Sequence, residues 1–129
     1  MEDAEQKGFK PAPAEYFSGK AFIKSLIIAD EVTNCNVNDV VFEAGCRNNW
    51  HTHPSNQILI VKEGVCYYQE EGQPMQKVQA GGVINVLPGI KHWHGASPDA
   101  PMVHIAININ TDKGLVNWME PVSDAVYKS

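Results

Sequence analysis

Residues 45–64 read GCRNNWHTHPSNQILIVKEG and place two histidines and a glutamine between two turn glycines. His51 and His53 lie two residues apart, and alternate residues of a β-strand project to the same face of the sheet. Gln57 has the same parity and can return to that face after the interruption at Pro54. The stretch therefore predicts two imidazoles and one amide that point to one side of a sheet.

A second stretch, residues 82–96, reads GVINVLPGIKHWHGA and repeats the two-residue spacing at His92 and His94. The fifth histidine, His104, lies in a third run of strand-forming residues. Three strands can thus direct five imidazoles and the Gln57 amide into one interior. A single histidine on a strand is usually a packing residue, but the repeated spacing favours a site for a divalent transition metal, because imidazole is a common ligand of such ions.

The rest of the sequence consists of short runs of strand-forming residues between turn signals. With 129 residues, 10 Gly and 8 Pro, the chain has the size of one domain and is rich in turn residues. A helical period is not sustained before the C-terminal residues, where Ser123 is a candidate N-cap for a brief turn. The strand candidates are residues 21–28, 38–44, 58–61, 65–68, 83–87 and 103–109, with Val78 in another short strand.

These elements predict one all-β domain over residues 15–129, either closed into a barrel or sandwiched. Residues 1–14 are polar and carry Pro11 and Pro13, which resist both helix and central strand. We therefore expect a flexible N-terminal tail before the domain.

The composition argues against several classes of partner and location. The formal charge is −5 and there is no basic stripe, so nucleic-acid binding is not expected. No apolar run approaches the length of about 18 residues that spans a bilayer, and the charged N-terminus does not resemble a secretory signal. The three cysteines have no CxxC spacing, which favours reduced, buried thiols and a cytoplasmic location.

Both histidine stretches resemble the motifs of the cupin family. Residues 45–64 match the first motif, except that Gln57 stands where most metal-binding cupins have Glu. Residues 82–96 resemble the second motif, shortened by one residue between Pro88 and Gly89. The resemblance implies an all-β, single-domain cupin, which is a conical double-stranded β-barrel of the jelly-roll type.

Further stretches are similar to a subgroup of small bacterial cupins that includes manganese-dependent hydroxynitrile lyases, which cleave or form (R)-cyanohydrins such as mandelonitrile. The resemblance implies metal ligands at His51, His53, Gln57 and His92. It also implies that His94 and His104 lie in the pocket as candidate acid/base groups. The stretches that carry it are Trp50–Pro54, Gln57, Lys91–Ala96, Met102, His104–Ile107 and Trp118–Glu120.

Gln57 in place of Glu has a physical consequence for any bound divalent ion. Three neutral imidazoles and an amide oxygen leave the ion its full charge of +2, which strengthens its attraction for anions and acidifies a bound hydroxyl. Lewis-acid chemistry is therefore favoured over redox chemistry. His94 and His104 are expected to have pKa values within reach of neutral pH, so that either can exchange a proton with the substrate.

Several functions remain open on this fold. The first is a carbon–carbon lyase of the hydroxynitrile-lyase type; the alternatives are another cupin metalloenzyme, such as a dioxygenase or an isomerase, and a non-enzymatic small-ligand-binding protein. Mn is the expected metal, with Fe, Zn or Ni as alternatives, since ligand geometry alone does not identify the ion. The expected partners are a small-molecule substrate and a second copy of the chain, because family members form dimers through an N-terminal strand and residues 16–28 are apolar enough to cross to a partner.

Overall fold

Two antiparallel sheets curl around a common interior in the computed structural model, which describes residues 7–129. The strands are β1 (Lys10–Pro11), β2 (Phe17–Ser18), β3 (Ala21–Ile27), β4 (Cys35–Phe42), β5 (Arg47–Asn48), β6 (His51–Thr52), β7 (Gln57–Glu63), β8 (Val65–Glu70), β9 (Gln76–Gln79), β10 (Val83–Val86), β11 (His92–Ala96), β12 (Met102–Ile109) and β13 (Asn117–Trp118). A 3-10 turn, Thr111–Lys113, and one short helix, α1 (Asp124–Tyr127), complete the described elements.

The first sheet has the strand order β1-β3-β4-β12-β7-β10, and the second contains the path β13-β6-β11-β5-β2. In the second sheet β8 pairs with β11 and also with β9. The two strands that start at predicted histidine ligands, β6 and β11, are neighbours, and His51 lies directly opposite His92. The architecture confirms the predicted all-β class.

Strand alternation decides which side chains face the interior. On β7, Gln57, Leu59 and Val61 are buried, whereas Ile58 and Ile60 between them are more exposed. On β12, Met102, His104 and Ala106 are buried in the same way. Because the period of a strand is two, the apolar members of each set form the core and the polar members line a cavity within it.

The C-terminal segment covers the outer face of β11. Trp93 is fully buried there against Val122 and Tyr127. The Tyr127 hydroxyl donates to the carbonyl of Ala96 at 2.6 Å, and the Arg47 guanidinium donates to the carbonyl of Val122 at 2.8 Å. These contacts hold the end of the chain across the strand that carries His92 and His94.

The strands lie close to their predicted positions, with one instructive difference. The strand predicted over residues 38–44 is observed as Cys35–Phe42. Asparagine is depleted in strands, so Asn36 masks the start of β4 in the sequence, although its side chain lines the cavity together with that of Asn38. The brief C-terminal turn is confirmed as α1, whose N-cap Ser123 accepts from the Val126 amide at 3.2 Å.

The predicted flexible tail, residues 1–14, is described only in part, since residues 1–6 lie outside the described residues. Within it, Lys10 and Pro11 form β1 and pair with Ile23 and Phe22 of β3. This is the edge of the sheet, where the missing amide proton of proline costs least. Paired structure therefore begins before residue 15, the predicted start of the domain.

The three cysteines are free thiols. Cys46 and Cys66 are buried as expected, and burial raises the pKa of each thiol to about 12, so both behave as small apolar residues. Cys35, expected to be buried as well, is only half-buried at the start of β4.

No helix within residues 7–129 has the length and apolar character needed to cross a bilayer.

Gly64, the last residue of the first motif, provides a test of the fold. Its φ is +74°, and a Cβ built there would lie 2.3 Å from the carbonyl oxygen of Pro101. Gly72 has a similar φ of +83° but nothing within 4 Å of the added Cβ. We expect Gly72→Ala to lower the free energy of unfolding by about 1–2 kcal/mol through left-handed strain alone, and Gly64→Ala to lose roughly 1–3 kcal/mol more through the clash.

Urea denaturation of both variants measures this difference. Equal losses in the two variants would contradict the close approach of β12 to the turn at Gly64.

Candidate metal centre and active-site cavity

Three histidines converge at one end of the cavity. His51 opens β6, His53 follows directly after that strand, and His92 opens β11. Their potential ligand atoms all lie within 4.8 Å of one another, and the ring centroids of His51 and His92 are 4.2 Å apart. Divalent metal ions bind such clusters of imidazole nitrogens.

Each of the three rings is oriented by a backbone carbonyl. Nδ1 of His51 donates to the carbonyl of Asn49 at 2.8 Å, and Nδ1 of His92 donates to that of Ile90 at 2.9 Å. Nδ1 of His53 donates to the carbonyl of Leu115. Since a carbonyl can only accept, these bonds fix the proton on Nδ1. Nε2 of each ring is therefore unprotonated, and its lone pair can bind a metal ion.

The ligand nitrogens fit a metal ion. Nε2 of His53 and Nε2 of His92 are buried without a hydrogen-bond partner among the described residues. Buried polar atoms are nearly always satisfied, so two unpartnered lone pairs in one cluster point to an ion.

Gln57 supplies an oxygen to the same place. It opens β7, is buried and lines the cavity together with His51 and His53. Its Oε1 has no hydrogen-bond partner within residues 7–129, while its Nε2 donates to Oδ1 of Asn108 at 3.0 Å. The amide nitrogen is thus turned away and the oxygen is left for coordination.

The remaining two histidines form a pair inside the cavity. Nε2 of His104 lies 3.2 Å from Nδ1 of His94, a distance that requires one proton between the two nitrogens. Asn48 holds the pair in place: its Oδ1 accepts from the His94 backbone amide at 2.9 Å, and its Nδ2 lies 3.3 Å from the His94 ring.

The cavity itself has a volume of about 200 Å³. Its polar lining includes four histidines and the amides of Gln57 and Asn108. Its apolar lining includes Phe17, Ile23, Val40 and Phe42. Leu115, Val116 and Trp118 line the part contributed by the C-terminal segment. A small molecule with one polar and one apolar end fits such a space.

A family model described as the cupin domain matches residues 38–108, which contain all six predicted site residues. The chain belongs to the cupin family. This cupin is 41% identical, over 116 residues, to the (R)-mandelonitrile lyase of Granulicella tundricola, with coverage of 90% of this chain and 88% of the relative.

Solved structures place the cupin in the same fold. A cupin-like protein of Thermotoga maritima is 40% identical and superimposes with a TM-score of 0.88, covering 92% of this chain and 90% of the other. The DMSP lyase DddQ of Ruegeria pomeroyi has a TM-score of 0.68 at 17% identity, covering 92% of this chain and 60% of the other, and shares the fold alone.

Burial keeps the histidines of this cupin uncharged. It lowers the pKa of His92 and of His104 to about 4, and it lowers the pKa of His51, His53 and His94 as well. The expectation that His94 and His104 titrate near neutral pH is therefore wrong, because their surroundings exclude water. Both rings are neutral bases at pH 7, and neither is protonated to imidazolium.

Two residues of the site, Asn48 and Asn108, are not singled out by the sequence pattern, and they contact the predicted site residues from other strands. Trp118, which the resemblance includes, packs its ring 4.7 Å from that of His51. The one local signal is the occurrence of asparagine at inward positions of apolar strands, which is unusual for a strand.

His104 gives the site a testable pH dependence. The unfolded chain takes up a proton on this ring below a pKa of about 6.5, whereas the folded protein does so only near pH 4. Stability of the metal-free protein therefore falls as the pH falls from about 6.5 to about 4, and His104 contributes up to about 3 kcal/mol of that fall.

Urea denaturation of chelator-treated protein at pH 7 and pH 5 measures this dependence. We expect His104→Gln to make it shallower by the share of His104, because glutamine does not titrate while the other four buried histidines still do. An unchanged pH slope in the variant would show that His104 is not the buried, neutral group described here.

Proposed function

We propose that this cupin is a manganese-dependent lyase that cleaves or forms cyanohydrins. The observation that carries the proposal is the cavity, which joins four neutral metal donors to a buried pair of histidines in a chain 41% identical to an (R)-mandelonitrile lyase. The carbonyl-oriented rings of His51, His53 and His92, with Oε1 of Gln57, would hold the ion. When bound, a divalent ion supplies a Lewis acid that lowers the pKa of a substrate hydroxyl group.

The His94–His104 pair accepts the hydroxyl proton. Both rings are neutral at pH 7 because burial lowers their pKa values. The ring that donates the shared proton keeps its lone pair, which can accept the hydroxyl proton. As the proton leaves the hydroxyl group, the carbon–oxygen bond becomes a carbonyl and the bond to the nitrile carbon breaks. Cyanide departs with the electron pair and takes the proton back from the histidine pair, so that the products are an aldehyde and hydrogen cyanide.

The apolar side chains of the cavity lining orient the substrate for this step. Phe17, Val40 and Phe42 offer contact to the organic substituent of a cyanohydrin, while the hydroxyl group faces the histidines. The ring centroid of Phe42 lies 5.3 Å from that of His104 and 5.8 Å from that of His94. A substituent held there excludes water from the histidine pair.

Cyanide release from mandelonitrile tests the proposal. Protein loaded with Mn²⁺ is expected to release cyanide, and His104→Ala to bind Mn²⁺ as the wild type does while losing about 10²–10⁴-fold in rate. His51→Ala, which removes a ligand, should lose both Mn²⁺ and activity.

Absence of cyanide release from the Mn²⁺-loaded wild type would overturn the proposal. Oxygen consumption by an Fe²⁺-loaded sample would instead support a dioxygenase. Loss of Mn²⁺ binding in His104→Ala would make that residue structural.

We also propose that the chain forms a homodimer. β3 pairs with β4 of the same chain, yet its end and the following loop expose four apolar side chains: Leu26, Ile27, Ile28 and Val32. Such a cluster on one element is typical of an interface.

Light scattering on purified protein measures the assembly. We expect the mass of two chains for the wild type and of one for Ile28→Lys, which places a charge in the cluster. The control Val83→Lys changes an exposed apolar residue on another strand and should leave the dimer intact. A monomeric wild type would refute the homodimer.

A further inference from the structure

Gln57 presents a problem of orientation that a carboxylate ligand does not have. The two ends of its amide differ only in carrying an oxygen or an NH2 group, and the NH2 group cannot serve as a metal ligand because it points hydrogens at the cation. We propose that Asn108 is the positioning residue that turns the Gln57 oxygen toward the three histidines, and that Asn36 holds Asn108 in turn. The inference rests on the metal site of the proposed function.

The three amides form a continuous chain across the first sheet. Asn108 lies opposite Gln57 on one side and opposite Asn36 on the other, since β12 pairs with both β7 and β4. Gln57 Nε2 donates to Asn108 Oδ1 at 3.0 Å, and Asn108 Nδ2 donates to Asn36 Oδ1 at 2.7 Å. Direct cross-strand neighbours are close enough for such bonds, so the register of the sheet sets the chain.

The series of three amides has a direction. Asn108 donates through its nitrogen to Asn36 and accepts through its oxygen from Gln57, so the orientation of Asn108 dictates that of Gln57. The amide series ends toward the histidines at Gln57 Oε1. This oxygen is buried and has no hydrogen-bond partner within the described part of the sequence. A buried acceptor left unpaired is costly, and its place in the cavity that His51 and His53 also line points to a cation as the missing partner.

Packing alone does not explain why these positions are polar. Asn36 and Asn108 lie on inward faces of long strands, where an apolar residue would add to the core without requiring a partner. An arrangement that supports one metal ligand through two further amides explains both residues at once.

A double-mutant cycle separates positioning from packing. Mn²⁺ affinity is measured from the electron paramagnetic resonance signal of the free ion. We expect Asn108→Leu to weaken Mn²⁺ binding by about 10–100-fold, the loss typical of partners that orient a ligand. In a Gln57→Ala background the same change should have no further effect, because Asn108 acts only through Gln57.

Matched variants of Asn38 serve as controls. Asn38 lines the same cavity from β4 but is not part of the amide chain. Asn38→Leu should leave the Mn²⁺ affinity within about twofold. Asn108→Asp retains an acceptor for Gln57 Nε2 and should bind Mn²⁺ more tightly than Asn38→Asp, which adds the same charge without that bond.

The outcomes distinguish this inference from the proposed function. A wild type that does not bind Mn²⁺ overturns both. A wild type that binds Mn²⁺ while Asn108→Leu binds it equally well overturns the positioning role alone, as does an equal loss of affinity in Asn108→Leu with and without Gln57. Thermal unfolding of the metal-free variants shows whether a variant that loses affinity for Mn²⁺ is still folded. If Asn108→Leu is unfolded, the comparison of Asn108→Asp with Asn38→Asp decides, and an equal loss of Mn²⁺ affinity in these two variants overturns the positioning role of Asn108.

Discussion

Three backbone carbonyls orient the histidine cluster on which the rest of the site depends. The carbonyls of Asn49, Ile90 and Leu115 each take the Nδ1 proton of one ring, so the backbone decides which nitrogen of each imidazole is free. Without these bonds, each buried ring would carry an unsatisfied N–H group, whose desolvation costs about 1–3 kcal/mol. The same bonds that make burial tolerable therefore also create the ligand atoms.

A second property of the site is that its potential metal ligands are all uncharged. The donors are imidazoles and an amide, and burial lowers the histidine pKa values so that no positive charge competes for the place of a metal ion. A divalent ion among such donors keeps its charge, and the low polarity of the surroundings strengthens its action on a nearby oxygen or on an anion. This combination suits chemistry in which negative charge develops and departs, as cyanide does in the proposed reaction.

The sequence predicts those parts of the site that depend on local periodicity. The two-residue spacing places His51 and His53 beside His92, and the parity of Gln57 brings it to the same interior. The local sequence pattern does not predict properties that depend on contacts between strands distant in the sequence. The low pKa of His104 comes from burial by the whole barrel, and the contacts of Asn48 and Asn108 depend on sheet register.

His53 links the ligand cluster to the order in which the molecule assembles. Its orienting carbonyl belongs to Leu115, which follows β12 in the chain and precedes β13. During synthesis, every histidine has therefore left the ribosome before the residue that completes the orientation of His53. A metal ion held by His53 would therefore meet its complete set of oriented ligands only after the C-terminal segment has docked.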